Sequence, residues 1–307
     1  MSFNINTLAD RILGSENLEK FYTESILSGQ TLDFLSDHGS VTEAPLNTTS
    51  DINLMKNTLV WQDGKIAKLA ELGTTDITQA SIYVAPIGFK QAYSSIELHS
   101  KFAGEVMKNK KKSKQMDELL FGNAIIEDLT ALNKKDVERL VWKGDTSITD
   151  ANNNLRWADG FLKQLASGTY DLSAVTGANI VEQIMNAYIE MPSEITGADD
   201  FRIWIGSKEY KKYRAIIAKT NLYAGVEPLD VFGTNAKFHV VDGLDSENKS
   251  VLARARDLQV KTDYEGADVQ IEVFYVQNDD EMKVRGRFGL GMKPIFKQEI
   301  GVLNLVD

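Results

Sequence analysis

The side chains that carry most enzyme chemistry are missing or scattered in this sequence. It has no cysteine, which removes thiolate nucleophiles, redox dithiols and cysteine-bearing zinc or iron–sulfur sites. Its three histidines, His38, His99 and His239, stand apart, without the HxH or HExxH spacing that turns two imidazoles toward one metal. They read as solvated or core-edge histidines. No GxSxG is present, so a Ser-His-Asp hydrolase would lack its nucleophile elbow. Gly286, Gly289 and Gly291 suggest a phosphate loop, but that loop needs a helix start directly behind it, and here the chain runs on to Lys293 and Pro294. Asp279, Asp280 and Glu281 could hold a hard cation, yet a four-residue turn between strands selects the same residue types. Nothing singles out two of the 44 Asp and Glu as a pair for glycoside hydrolysis. No catalytic residue, metal or cofactor is therefore expected, and an enzyme is the weaker class.

The strongest charge feature is the run Lys108, Lys110, Lys111, Lys112 and Lys114. It repels itself, so it belongs in solvent or against an oppositely charged surface. Lysines neutralise phosphates, but there is no interleaved aromatic for base stacking, and the chain as a whole carries a formal charge of -10. A solvated run is the preferred reading, with a nucleic-acid patch or contact with an acidic neighbour as the others.

At 307 residues a compact fold buries roughly three quarters of its unfolded surface and needs no disulfide or structural metal. No apolar run of membrane-spanning length occurs, and residues 1–14 lack the basic end and apolar middle of a signal peptide. The expectation is a protein made and used without export.

Several elements must position whatever this chain presents. Residues 1–45 hold short apolar groups suited to one or two short helices. Residues 51–62 read as a strand, 62–80 as polar and turn-rich, and 81–98 as a returning strand, giving a long two-stranded excursion with its tip near 64–73. Ile82 and Val84 lie on one side of the return; Tyr83, Ile87, Phe89 and Tyr93 lie on the other. Pro86 and Gly88 mark an edge or bulged strand. An isolated hairpin is marginal in water, so this one should lean on something outside itself. A dominant helix is expected over about 114–142, on the order of 40 Å long, ended by Gly144 in a left-handed turn. A helix over 178–190, a strand over 201–206, a helix capped by Ser207 and a strand over 237–244 make a small mixed layer. The rest is β, ending in a strand where Lys283, Arg285 and Arg287 alternate with Met282, Val284, Gly286 and Phe288.

The order of these features resembles a known family. The run Val141-Trp142-Lys143-Gly144-Asp145, the loop Trp157-Ala158-Asp159-Gly160-Phe161-Leu162 and the stretch 252–263 (LARARDLQVKTD) are similar to elements of the major capsid proteins of tailed bacteriophages. Theirs is the Hong Kong ninety-seven-like fold, which encapsulin shells also use. The resemblance spans nearly the whole chain. It implies an α+β fold with an N-terminal arm (1–45), an extended β loop (46–100), a peripheral domain carrying a long spine helix (101–160 and 245–307) and a mixed α/β axial domain (161–244).

Under that resemblance the chain is a structural protein that assembles through hexamers and pentamers into an icosahedral capsid around double-stranded DNA, held by weak non-specific contact. An encapsulin-type shell is the alternative, with a carbohydrate-active or metal-dependent enzyme behind it. The expected partners are many copies of itself with portal, scaffold and minor capsid proteins, in a virion assembled in the host cytoplasm, and no membrane. No long charged helical prefix is evident, so a separate scaffold or none is expected, without maturation cleavage. Ile82, Tyr83, Val84 and Phe89 would seat the extended loop on an adjacent subunit, and Arg285 and Arg287 would pair with acids across a subunit boundary. Trp142, Gly144, Asp145, Trp157, Gly160 and Phe161 would brace the end of the spine helix.

Overall fold

The computed structural model describes residues 29–63, 71–94, 118–220, 229–263 and 271–305, with a few single positions besides. The lysine run Lys108 to Lys114, His99 and the expected helix start at 114–117 lie outside the described residues.

Two sheets and a ribbon share the strands. The first sheet contains β1 (Val41–Glu43), β4 (Ala85–Ser94), β8 (Leu258–Thr262), β9 (Ile271–Val276) and β10 (Glu281–Pro294), in the order β1-β8-β10-β4 with β9 also paired to β10. The second has the order β11 (Gly301–Asn304), β7 (Lys249–Arg254), β5 (Phe201–Gly206), β6 (Lys237–Val241). The ribbon is β2 (Thr49–Thr58) against β3 (Thr74–Tyr83), antiparallel from Thr49↔Tyr83 to Thr58↔Thr74.

Strand β10 organises the first sheet. Met282, Val284 and Phe288 are buried while Lys283, Arg285 and Arg287 point outward, the alternation a one-faced antiparallel strand requires. From Gly289 to Met292 every residue is buried, because there the strand also pairs with β8 and passes under the base of the ribbon. Strand β4 is an edge, where Pro86 costs no ladder hydrogen bond.

Helix α2 (Glu118–Lys143) enters the core through Val137, Leu140, Val141 and Trp142, in one apolar cluster with residues of both sheets. Over the second sheet lie α4 (Ile180–Glu190), capped by the Asn179 side chain on the Glu182 N–H, and α6 (Ser207–Lys219), preceded in the chain by the single turns α3 (Phe161–Gln164) and α5 (Ser193–Thr196) respectively. Gly206 is the cap of α6, and Ser207 is its first residue, with its hydroxyl turned to Asp242 at 2.5 Å. The sequence expectation of a Ser207 cap was one position off.

Three further expectations change. The excursion does not return through 81–98. It returns through β3, and after Val84 the chain joins the first sheet as β4, paired with β10 over ten residues, 85–94 with 281–290. The supposed arm contributes to the core: α1 (Gln30–Asp37) buries Leu32 and Leu35, and β1 pairs with β8. Strands β7 and β11, expected with the peripheral residues, belong to the second sheet. The chain therefore crosses between sheets at 254–258 and again at 294–301. Among the described residues no helix is long and apolar enough to cross a membrane.

Candidate functional site

Three parts of the molecule carry the residues singled out in the sequence, and among the described residues no cluster of three or more His, Asp or Glu is arranged to hold a metal.

The first is the end of α2. Gly144 continues the helix, its N–H donating to Leu140 O at 2.9 Å, and its own carbonyl accepts from Gly160 N–H at 2.8 Å. Neither glycine has a positive φ, so the left-handed stop expected at Gly144 is not its reason. The reason is closeness: a Cβ on Gly144 would lie 2.2 Å from Ala158 O, and one on Gly160 would lie 2.6 Å from Gly144 N. Two backbone segments cross with only hydrogens between them. Around that crossing Lys163 Nζ bridges Asp145 at 2.7 Å and Asp159 at 2.6 Å. Hydrogen bonds from Lys163 and then Ser147 lower the Asp145 carboxyl to about 2. At Asp159 partial burial pushes upward, but Lys163 and Thr146 prevail and its pKa also falls.

Trp142 and Phe161 are fully buried, with ring centroids 5.5 Å apart, and Trp142 lies equally close to Trp204 of the second sheet. The Trp142 indole N–H donates to the Thr31 hydroxyl at 2.7 Å; Thr31 in turn donates its N–H to Glu138 at 3.1 Å and its hydroxyl to the same carboxylate. Burial pushes the Glu138 carboxyl up against the lowering effect of the Thr31 bonds. This chain of bonds fastens α1 to α2. Thr31→Val should cost about 2 kcal/mol by stranding the indole N–H and removing one donor from Glu138. The cost would be read as a lower urea midpoint, and an unchanged midpoint would show that the bonds are dispensable. Trp157 lies outside this core: it is 44% exposed beside α2, with the Arg156 guanidinium 5.2 Å over its ring.

The second surface is the ribbon. Ten residue pairs at about 3.3 Å each give a length of roughly 33 Å. Its base is anchored in the chain. Ile82 and Val84 are 2% and 0% exposed, pressed on Gly291 and Gly289 so closely that a Cβ at either glycine would meet their methyls below 3 Å. These two are spent inside the chain and cannot seat the loop on a neighbour; both face inward because the strand passes over β10 there. Tyr83, between them, is exposed and donates to Asn47 at 2.7 Å. Outward along the ribbon, Met55 and Ile77 are bare, and at its far end Leu59, Val60, Trp61 and Leu72 are 86%, 51%, 94% and 53% exposed. The sequence reading missed this end. The signal was present in Leu59-Val60-Trp61, three apolar residues in a row before a polar turn.

The third surface is a groove of about 200 Å³ between α2 and β4, lined by Phe89, Leu129, Leu132, Val137 and Trp157. Phe89 is half-buried with its ring over Gly286, so it forms the wall of this groove and does not reach outward. On the adjoining strand Arg285 pairs with Glu272 of β9, satisfying within the chain the contact expected across a boundary. Arg287 is exposed and forms no ion pair among the described residues.

No family model matches the sequence, and no curated protein matches it. Solved structures do. A chain of the satellite phage P4 procapsid that includes the size determination (Sid) protein is similar over 100% of this chain and 92% of its own, at 11% identity and a TM-score of 0.54. The capsid of an empty GTA particle matches over 87% and 88%, at 13% identity and 0.54. The cyanophage A-1(L) capsid matches over 92% and 94%, at 12% identity and 0.53. At such identities the likeness is one of fold.

Proposed function

We propose that this chain, whose fold is the Hong Kong ninety-seven-like capsid fold, is a structural subunit that assembles with many copies of itself into a closed shell. The observation that carries the reading is the ribbon: its base is locked into the chain's own core, while its far end holds four large apolar residues that the described chain does not cover. Such residues gain little by staying in water and several kcal/mol by docking. Identical subunits that each reach onto the next form rings, and curved rings close.

The finer reading is an icosahedral phage capsid of hexamers and pentamers around double-stranded DNA, assembled in the host cytoplasm with portal, scaffold and minor capsid proteins. The charge of -10 supports it, because a wall of the same sign as the genome holds DNA without gripping it. Within this reading Tyr83 and Arg287 remain contacts to a neighbouring copy, and Phe89 offers a neighbour the wall of the groove. The lysine run stays a candidate contact with DNA or an acidic neighbour.

Expression of the chain alone, followed by light scattering and negative-stain electron microscopy, should yield rings or closed particles. Persistent monomers that also join no shell when the other virion proteins are supplied would refute a shell role. The contents of purified particles separate the two kinds of shell: nuclease-protected DNA supports a capsid, and packaged protein an encapsulin-type compartment.

A further inference from the structure

The two short crossings between the sheets run through one charged cluster. The outgoing crossing, 254–258, carries Arg254, Arg256 and Asp257; the returning one, 294–301, carries Glu299; and Asp200 stands just before β5. Arg254 pairs with Asp200 at 2.8 Å and Arg256 with Glu299 at 2.7 Å. Each arginine is thus already engaged by an aligned carboxylate, and the cluster has three acids for two bases. The surplus acid is Asp257. Its side chain is 0% exposed, and neither of its oxygens accepts a hydrogen bond among the described residues. Arg256 Nε lies 3.3 Å from one oxygen, within ion-pair reach but not aligned to donate.

The backbone of Asp257 holds the crossings together. Its carbonyl accepts the Ile295 N–H at 2.8 Å; next to it Ala255 donates to Asp200 O at 3.0 Å, and the Ala255 carbonyl accepts the Ser40 hydroxyl at 2.8 Å. The turn that carries this carboxylate is therefore clamped to the returning crossing, the second sheet and the N-terminal segment at once. A buried carboxylate without hydrogen bonds is costly when charged and tolerable when neutral.

We propose that Asp257 is a proton-operated joint between the two sheets: protonated, it lets the crossings close on each other, and ionised, it loosens them. This goes beyond the shell reading and holds for a monomer or an assembled particle.

Burial raises the Asp257 pKa from 3.8 to about 6, with Glu299 and Asp200 adding to the rise and Arg256 and Arg254 opposing it. A carboxyl raised on folding stabilises the closed form at low pH, and that stabilisation is lost as pH rises through the folded value. The window therefore lies between about 4 and 6, with the joint loosest above it.

Hydrogen–deuterium exchange of the full-length protein tests this, with rates corrected for the intrinsic pH dependence of amide exchange. Peptides covering the two crossings should be about tenfold better protected near pH 5 than near pH 7.5, the ratio expected when opening returns Asp257 to its unfolded pKa. In Asp257→Asn that difference should vanish, with the high protection kept at both pH values. Equal protection of the wild-type crossings at both, or an undiminished difference in Asp257→Asn, would overturn the proposal. Glu299→Gln gives an independent arm should the asparagine variant not fold. It removes a neighbouring negative charge and releases Arg256 toward Asp257, so the transition should move to lower pH; a transition left in place would place the responsible group elsewhere and likewise overturn the proposal.

Discussion

Gly144→Ala should destabilise the chain by about 3 kcal/mol or more, toward the upper end of overpacking costs because the new methyl meets backbone rather than a side chain able to move. The added Cβ would lie 2.2 Å from Ala158 O and 2.6 Å from Leu140 O. Relief requires parting the segments joined by the Gly160 N–H bond to Gly144 O, and that parting disturbs Trp142 and Phe161 beneath. Gly160→Ala should cost a similar amount, since its Cβ would meet Gly144 N and the Trp142 carbonyl below 3 Å. Both substitutions force the same two segments apart, so the double variant should lose clearly less than the sum. Urea denaturation of the three variants measures this. A Gly144→Ala midpoint equal to that of wild type would mean that the crossing has room the geometry does not show.

The second large effect concerns assembly and leaves the fold of the subunit alone. Trp61→Asp and Leu59→Asp alter side chains 94% and 86% exposed, where substitutions usually change stability by no more than about 0.5 kcal/mol. Docking a tryptophan against a neighbour buries on the order of 200 Å², worth about 5 kcal/mol at ~25 cal/mol/Å², and the loss is repeated at every copy. Both variants should therefore keep the wild-type urea midpoint and give no particles in sedimentation, while Asn57→Ala on the same ribbon assembles normally. Wild-type particle yields from both aspartate variants would remove the ribbon end from the assembly mechanism.

Local patterns were readable where a residue's neighbours in sequence are also its neighbours in space. The strand Phe201–Gly206, the helix Ile180–Glu190 and the outward row Lys283, Arg285 and Arg287 all follow from periodicity. What the sequence hid depends on distant partners. Ile82 and Val84 have the alternation of an ordinary strand, and only the two glycines some two hundred residues later explain why both are buried. Leu32 and Leu35 sit in a helix of eight residues, too short to hold itself, so their role depends on the Thr31–Glu138 bonds across 107 positions. Gly144 was noticed for its type and misread in its reason, because a tight backbone crossing leaves no local signature. The apolar run Leu59-Val60-Trp61 carried a legible signal that was passed over as part of a strand.

The way α1 is fastened also bears on the timetable of synthesis. Gln30, at its start, is held by His239 and by the Asp242 N–H, and β1 finds its partner only in β8. At roughly 5–20 residues per second, those partners leave the ribosome on the order of 10–40 s after Gln30 does. The seat under Val84 waits longer still, for Gly289. A nascent or broken chain lacking these late residues has no firm footing for its ribbon, so under the proposed shell role translation order itself would keep unfinished copies from offering a correctly placed contact to their neighbours.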